Sequence, residues 1–130
     1  MSLEELRHHA DELTERIGVQ VDINQVGVQV FVILRSLKLP PEAYQIATTD
    51  VLFIADSQYP LSAMDMFWTD PSVLLPGGAV PASADRIESY LDRQWRRFSW
   101  HRNGCWNVNG NPLHDHFEFM QYRFSMDVKS

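Results

Sequence analysis

Apolar residues recur every three or four positions at the start of the chain, at Leu3, Leu6, Ala10, Leu13 and Ile17, which places them on one face of a helix. Ser2 followed by Glu5 has the spacing of a capping box, and Gly18 can take the left-handed conformation that closes the helix. The opposite face carries Glu4, Arg7, His8, Asp11, Glu15 and Arg16, a charged surface suited to solvent or to a docking protein. The period then changes to two. Val19, Val21 and Ile23 alternate with polar residues, and Val26, Val28, Val30, Val32 and Leu34 do the same, so two strands follow with a turn expected at Asn24-Gln25. Pro40-Pro41 stops the second run. Val51-Leu52-Phe53-Ile54 is continuous rather than alternating, which predicts a strand over 50–55 covered on both faces and ended by Tyr59-Pro60. A weaker extended segment covers 64–68.

Between 70 and 83 the chain turns to Pro, Gly, Ser and Ala, yet keeps Val73, Leu74, Leu75 and Val80, so an ordered surface loop is expected there. Ile87, Tyr90 and Leu91 have helical spacing and predict a short helix. Asn111-Pro112 is a cap followed by proline at the first helical position, and Leu113, Phe117, Met120 and Phe124 share one face of a closing helix. The order is helix, an antiparallel meander of three to four strands, a long loop and a C-terminal helix. That is an α+β fold, expected as a single domain over 1–130.

Length and charge narrow the possibilities. The 130 residues, 45% of them hydrophobic, suffice for one core, and 11 Lys plus Arg against 17 Asp plus Glu give a net charge of −6. Nonspecific attraction to nucleic-acid phosphate or an anionic membrane is therefore disfavoured, and protein partners are favoured. No apolar run approaches the ~18 residues of a spanning helix, and the acidic Ser2-Leu3-Glu4-Glu5 start does not resemble a secretory signal. A single cysteine, Cys105, forms no internal disulfide and suits a reducing compartment, so the expected location is cytoplasmic.

Chemistry concentrates in 95–111, which holds Cys105, three of the four tryptophans, three arginines and His101. Glycines and asparagines around Cys105 predict irregular backbone and a reachable thiol, whose thiolate His101, Arg102 or loop N–H groups would stabilise. Two readings stay open: a nucleophile, or a small buried hydrophobe beside Trp106. His101, Cys105, His114 and His116 form a loose zinc-type inventory, but the spacing matches no standard site and the last two point apart on a helix, so no metal is expected. No cofactor is expected either. A protease-like dyad of Cys105 with His114 or His116 lacks any nucleophile signature. Phe67, Trp68, Trp95, Phe98 and Trp100 are read as packing between the long loop and the sheet rather than as a platform for bases.

The ordered set Asp50-Val51-Leu52-Phe53-Ile54, Tyr59-Pro60-Leu61, Met64-Asp65-Met66-Phe67-Trp68, Pro71, Trp95-Arg96-Arg97-Phe98-Ser99-Trp100-His101, Trp106, Gly110 and Leu113 resembles the ubiquitin-conjugating-enzyme superfamily, in its short bacterial branch. The resemblance spans nearly the whole chain. It implies a carrier that accepts a ubiquitin-like modifier from an activating enzyme as a thioester on Cys105 and passes it to an amine of a target protein. His101-Arg102-Asn103 then supplies the first and third residues of the His-Pro-Asn tripeptide of the eukaryotic relatives, with His101 tuning the thiolate and Asn103 supporting the transition state. Asp115 or His101 would assist deprotonation of the amine. The first helix would dock the activating enzyme, and the usual company of such genes implies antiphage defence. A different class of function, a noncatalytic adaptor of the same fold that bridges modifier and activating enzyme, would leave Cys105 dispensable.

Overall fold

The computed structural model describes residues 3–101, Trp106 and residues 108–128. Helix α1 (Leu3–Ile17) buries Leu6, Ala10 and Leu13 as its periodicity requires, and Gly18 follows it at φ +70° with its N–H on the Thr14 carbonyl. Ser2, the expected cap, lies outside the described residues. Strands β1 (Val21–Val26) and β2 (Gln29–Lys38) form a hairpin, but its turn is Gly27-Val28 and not Asn24-Gln25. Gly27 has φ +63°, and a two-residue connection needs positive φ at one or both loop positions, which glycine adopts without a Cβ penalty. Asn24 and Gln25 consequently stay in the ladder, opposite Phe31 and Val30.

Strand β3 (Thr48–Asp56) lies inside the sheet, and Val51, Leu52 and Phe53 are all fully buried, as a continuous apolar run demands. The weaker extended segment becomes the short β4 (Phe67–Thr69). One expectation fails beyond it. Ile87, Tyr90 and Leu91 are not helical: β5 (Arg86–Tyr90) pairs with β6 (Arg93–Phe98) through the two-residue turn Leu91-Asp92, where both residues have positive φ. Strand β6 occupies the start of 95–111 and pairs with β4. Among the described residues the sheet thus has six strands, all antiparallel, in the order β1-β2-β3-β4-β6-β5, rather than three to four. The α+β class stands. Arginines concealed the period-two pattern of β6, because inward-facing Arg96 is buried by donating to the Pro71 and Ala84 carbonyls at 3.0 and 2.7 Å.

Each face of the sheet has its own core. One packs Val30, Val32, Leu34, Val51, Phe53, Phe67 and Phe98 against α1 and α2 (Pro112–Ser125). The other collects Phe31, Ile33, Leu52, Trp68 and Trp95, with Arg93 stacked 4.0 Å over the Trp95 ring. All five of the aromatics expected between the long loop and the sheet pack, but only Phe67, Phe98 and Trp100 do so on the face that also holds Val73 and Leu75 of the long loop, whereas Trp68 and Trp95 join the cluster on the opposite face. The 70–83 loop is pinned by Arg96 from β6 and by Arg123 of α2, whose guanidinium donates to the Ala82 carbonyl at 2.7 Å.

Candidate active site

The chain leaving β3 brings Tyr59 beneath the junction of the two helices. Its hydroxyl accepts the Leu113 N–H at 3.1 Å and shares a hydrogen bond with Nδ1 of buried His9 at 2.7 Å, so one phenol joins the 57–66 loop to α1 and to the first turn of α2. Both groups are held in the neutral form: burial raises the Tyr59 phenol above its ordinary value, and burial pushes the His9 imidazole down despite the pull of Glu5 and Glu12. The start of α2 is locked in the same way. Asn111 caps it by accepting the His114 N–H at 3.0 Å, Pro112 occupies the first turn, and the Asn111 amide donates to Glu12 Oε1 at 2.9 Å and to the His9 carbonyl at 3.2 Å.

The rim of this junction carries the functional candidates. Trp106 is half-buried; its indole N–H donates to the Pro60 carbonyl at 2.6 Å and its ring meets Tyr59 edge-on at 6.4 Å. His101 is exposed, and its Nδ1 lies 2.6 Å from Oδ2 of Asp65. Because an ionised carboxylate only accepts, Nδ1–H is the donor, and in the neutral ring Nε2 then carries the lone pair. Such an imidazole can take a proton at Nε2 and leave the resulting cation beside a carboxylate.

Asp65 sits on firmly held backbone. Met64 before it is buried in the core, and the carbonyl of Met66 after it accepts Nε2–H of fully buried His116 at 2.8 Å. Met66 itself has φ +58°, unusual for a residue with a side chain. His116 packs edge-on to Phe53 at 4.6 Å and stacks on Phe119 at 5.2 Å, while Trp100, the residue before His101, stacks on Phe119 from the other side of the sequence at 6.4 Å. Both members of the His101–Asp65 pair therefore follow a residue anchored by aromatic or core packing.

The remaining sequence candidates separate. Cys105 and Asn103, with Arg102, Gly104 and Asn107, lie outside the described residues. His116 is sealed in the core while His114 is half-buried on the helix flank, so the two diverge as residues two apart on a helix must. Among the described residues no three His, Cys, Asp or Glu side chains converge as metal ligands. Asp115 is half-buried in the first turn of α2, where a negative charge meets the helix dipole favourably. In the sequence nothing marks Asp65 as a site residue or Tyr59 as a hub beyond their places in the family-like strings Met64-Asp65-Met66-Phe67-Trp68 and Tyr59-Pro60-Leu61.

With this geometry in view, comparison with known families is decisive: the model described as prokaryotic E2 family E matches residues 7–126. The chain belongs to that family. Membership ties this E2 to ubiquitin-like conjugation in general. No curated protein and no solved structure matches it. Among its described residues no helix is long and apolar enough to cross a membrane.

Proposed function

We propose that this E2 is an active conjugating enzyme: Cys105 accepts a ubiquitin-like modifier from an activating enzyme as a thioester and transfers it to an amine of a target protein. In the first step the Cys105 thiol gives its proton to His101, and the thiolate attacks the carbonyl carbon of the incoming thioester. The tetrahedral oxygen is stabilised by Asn103 or loop N–H groups, a contribution of roughly 3 kcal/mol for one donor. Collapse forms the Cys105 thioester and releases the activating enzyme's sulfur as a thiolate, which takes up the proton. In the second step a deprotonated target amine attacks the same carbonyl and Cys105 leaves, with Asp115 or His101 assisting removal of the amine proton. The activating enzyme docks on the charged face of α1, and the free thiol suits the cytoplasm.

The observation that carries this reading is His101, presented toward solvent on a carboxylate partner four residues before the single cysteine of a prokaryotic E2 chain. The test is incubation with activating enzyme, modifier and ATP. The expected product is a reductant-sensitive adduct of chain plus modifier, lost in Cys105→Ala; absence of an adduct with a competent activating enzyme defeats the proposal. A stable complex with modifier and activating enzyme, with function unchanged in Cys105→Ser, would identify the noncatalytic adaptor instead.

A further inference from the structure

We propose that Asp65 is a positioning residue for His101, fixing the neutral imidazole as the Nδ1–H tautomer so that Nε2 is the basic nitrogen of the site. The contact is short, 2.6 Å between Nδ1 and Oδ2, and joins residues 36 apart in sequence. Both side chains are substantially exposed, 63% for His101 and 46% for Asp65, and an exposed pair between two wandering side chains would hold no orientation. Here the backbone on either side is fixed. The carbonyl following Asp65 is gripped by buried His116, and Met64 before it is 1% exposed; the Trp100 indole preceding His101 is stacked on Phe119, which stacks in turn on His116. One buried histidine thus braces both halves of an exposed pair. Its Nε2–H donates to the Met66 backbone carbonyl.

The chemical consequence is directional. An imidazole in water favours the Nε2–H form, which would offer a hydrogen where the site needs a lone pair. With Asp65 accepting from Nδ1, Nε2 can take the thiol proton, and the imidazolium so formed is stabilised by the Asp65 carboxylate. Assignment of that proton to Cys105 rests on the conjugating reading above, whereas the tautomer itself does not.

The experiment reads the two apart. Ring nitrogen signals of His101 in the 15N-labelled full chain, identified by their loss in His101→Gln, report which nitrogen is protonated in the neutral form. The wild type is expected to show Nδ1–H, and Asp65→Ala to revert to Nε2–H. Asp65→Asn, whose amide oxygen can still accept from Nδ1, is expected to retain the wild-type tautomer. The Nε2–H signal of His116 should persist in all three as evidence of an intact core. An Nε2–H tautomer at His101 in the wild type, or a tautomer indifferent to Asp65→Ala, overturns the proposal. In the adduct assay, Asp65→Ala is expected to slow thioester formation about tenfold, part of what a positioned base contributes; an unchanged rate despite an altered tautomer overturns the catalytic value of the positioning. Absence of any wild-type adduct defeats the conjugating reading, while the nitrogen signals still decide what Asp65 does to His101.

Discussion

Two histidines flank the 57–66 loop and meet an oxygen at nearly the same distance, His9 at 2.7 Å from the Tyr59 hydroxyl and His101 at 2.6 Å from the Asp65 carboxylate. Distance alone would rank them together. Beneath the loop His9 is 5% exposed and its partner 1%, so each polar group there must be matched or bear the full cost of desolvation. At the rim water can replace either member of the pair, and the contact governs orientation more than stability. The difference separates a sealed part of the molecule from an accessible rim, and it predicts that substitutions in the two regions will affect different measurements.

The sharpest break in the comparison is expected at His116, the buried ring that serves both regions. His116→Ala removes a fully buried side chain between Phe53 and Phe119 and leaves the Met66 carbonyl without its donor. A loss of about 3 kcal/mol is expected, from cavity formation and the unmatched carbonyl together. Urea unfolding followed by tryptophan fluorescence measures it. Tyr59→Phe comes next. It preserves the ring but strips the Leu113 N–H and His9 Nδ1 of their partner, for an expected loss of about 2 kcal/mol in the same assay.

Acidity divides the regions in a further way. Burial lowers the His9 pKa below its ordinary 6.5. The unfolded chain therefore binds a proton that the folded chain excludes, in the window between the lowered folded value and 6.5, so this residue makes stability rise with pH through that window and level off above it. The wild type should lose stability from this source as pH falls below 6.5. His9→Gln should start less stable at neutral pH and lack that component of the acid loss. Unfolding midpoints across the window, wild type against variant, measure the difference; a variant with the same acid slope would assign it to carboxylates instead.

How much of this was legible before the structure follows from how local each cause is. Gly18 after α1, Asn111-Pro112 before α2 and the unbroken Val51-Leu52-Phe53-Ile54 run act within a few residues, and each marks its element correctly. The β5–β6 hairpin was opaque because its signals are remote. Arg96 looks polar until it reaches carbonyls 25 and 12 residues away, and Glu88, which accepts from Trp68 at 2.8 Å and Arg97 at 3.0 Å, joins three strands into one outer surface. The site divides along the same line. His101 stood out by composition and its place near Cys105, but Asp65 is one carboxylate among 17 acidic residues until folding sets it against the imidazole. Tyr59-Pro60 reads in the sequence as the end of a strand, and the Tyr59 hydroxyl, the feature that joins three elements, has no counterpart in a periodicity argument.

The smallest expected effect on stability is the most informative about the rim. Asp65→Ala removes a carboxylate whose partner is exposed, so its unfolding free energy should change by less than about 0.5 kcal/mol. Met64 and Met66 remain held by the core and by His116, which keeps the local backbone in place when the carboxylate is gone. Combined with Tyr59→Phe, the loss should equal the sum of the two single losses, because Tyr59 pairs with His9 and Leu113 while Asp65 pairs with His101. A double-mutant cycle by urea unfolding checks this. Additivity would show that rim and hub are energetically separate, with Asp65 available to orient His101 at almost no cost to the fold. A coupling of more than about 1 kcal/mol would instead make the His101–Asp65 pair part of the structural hub, and the division between a rigid base and a chemically free rim would not hold.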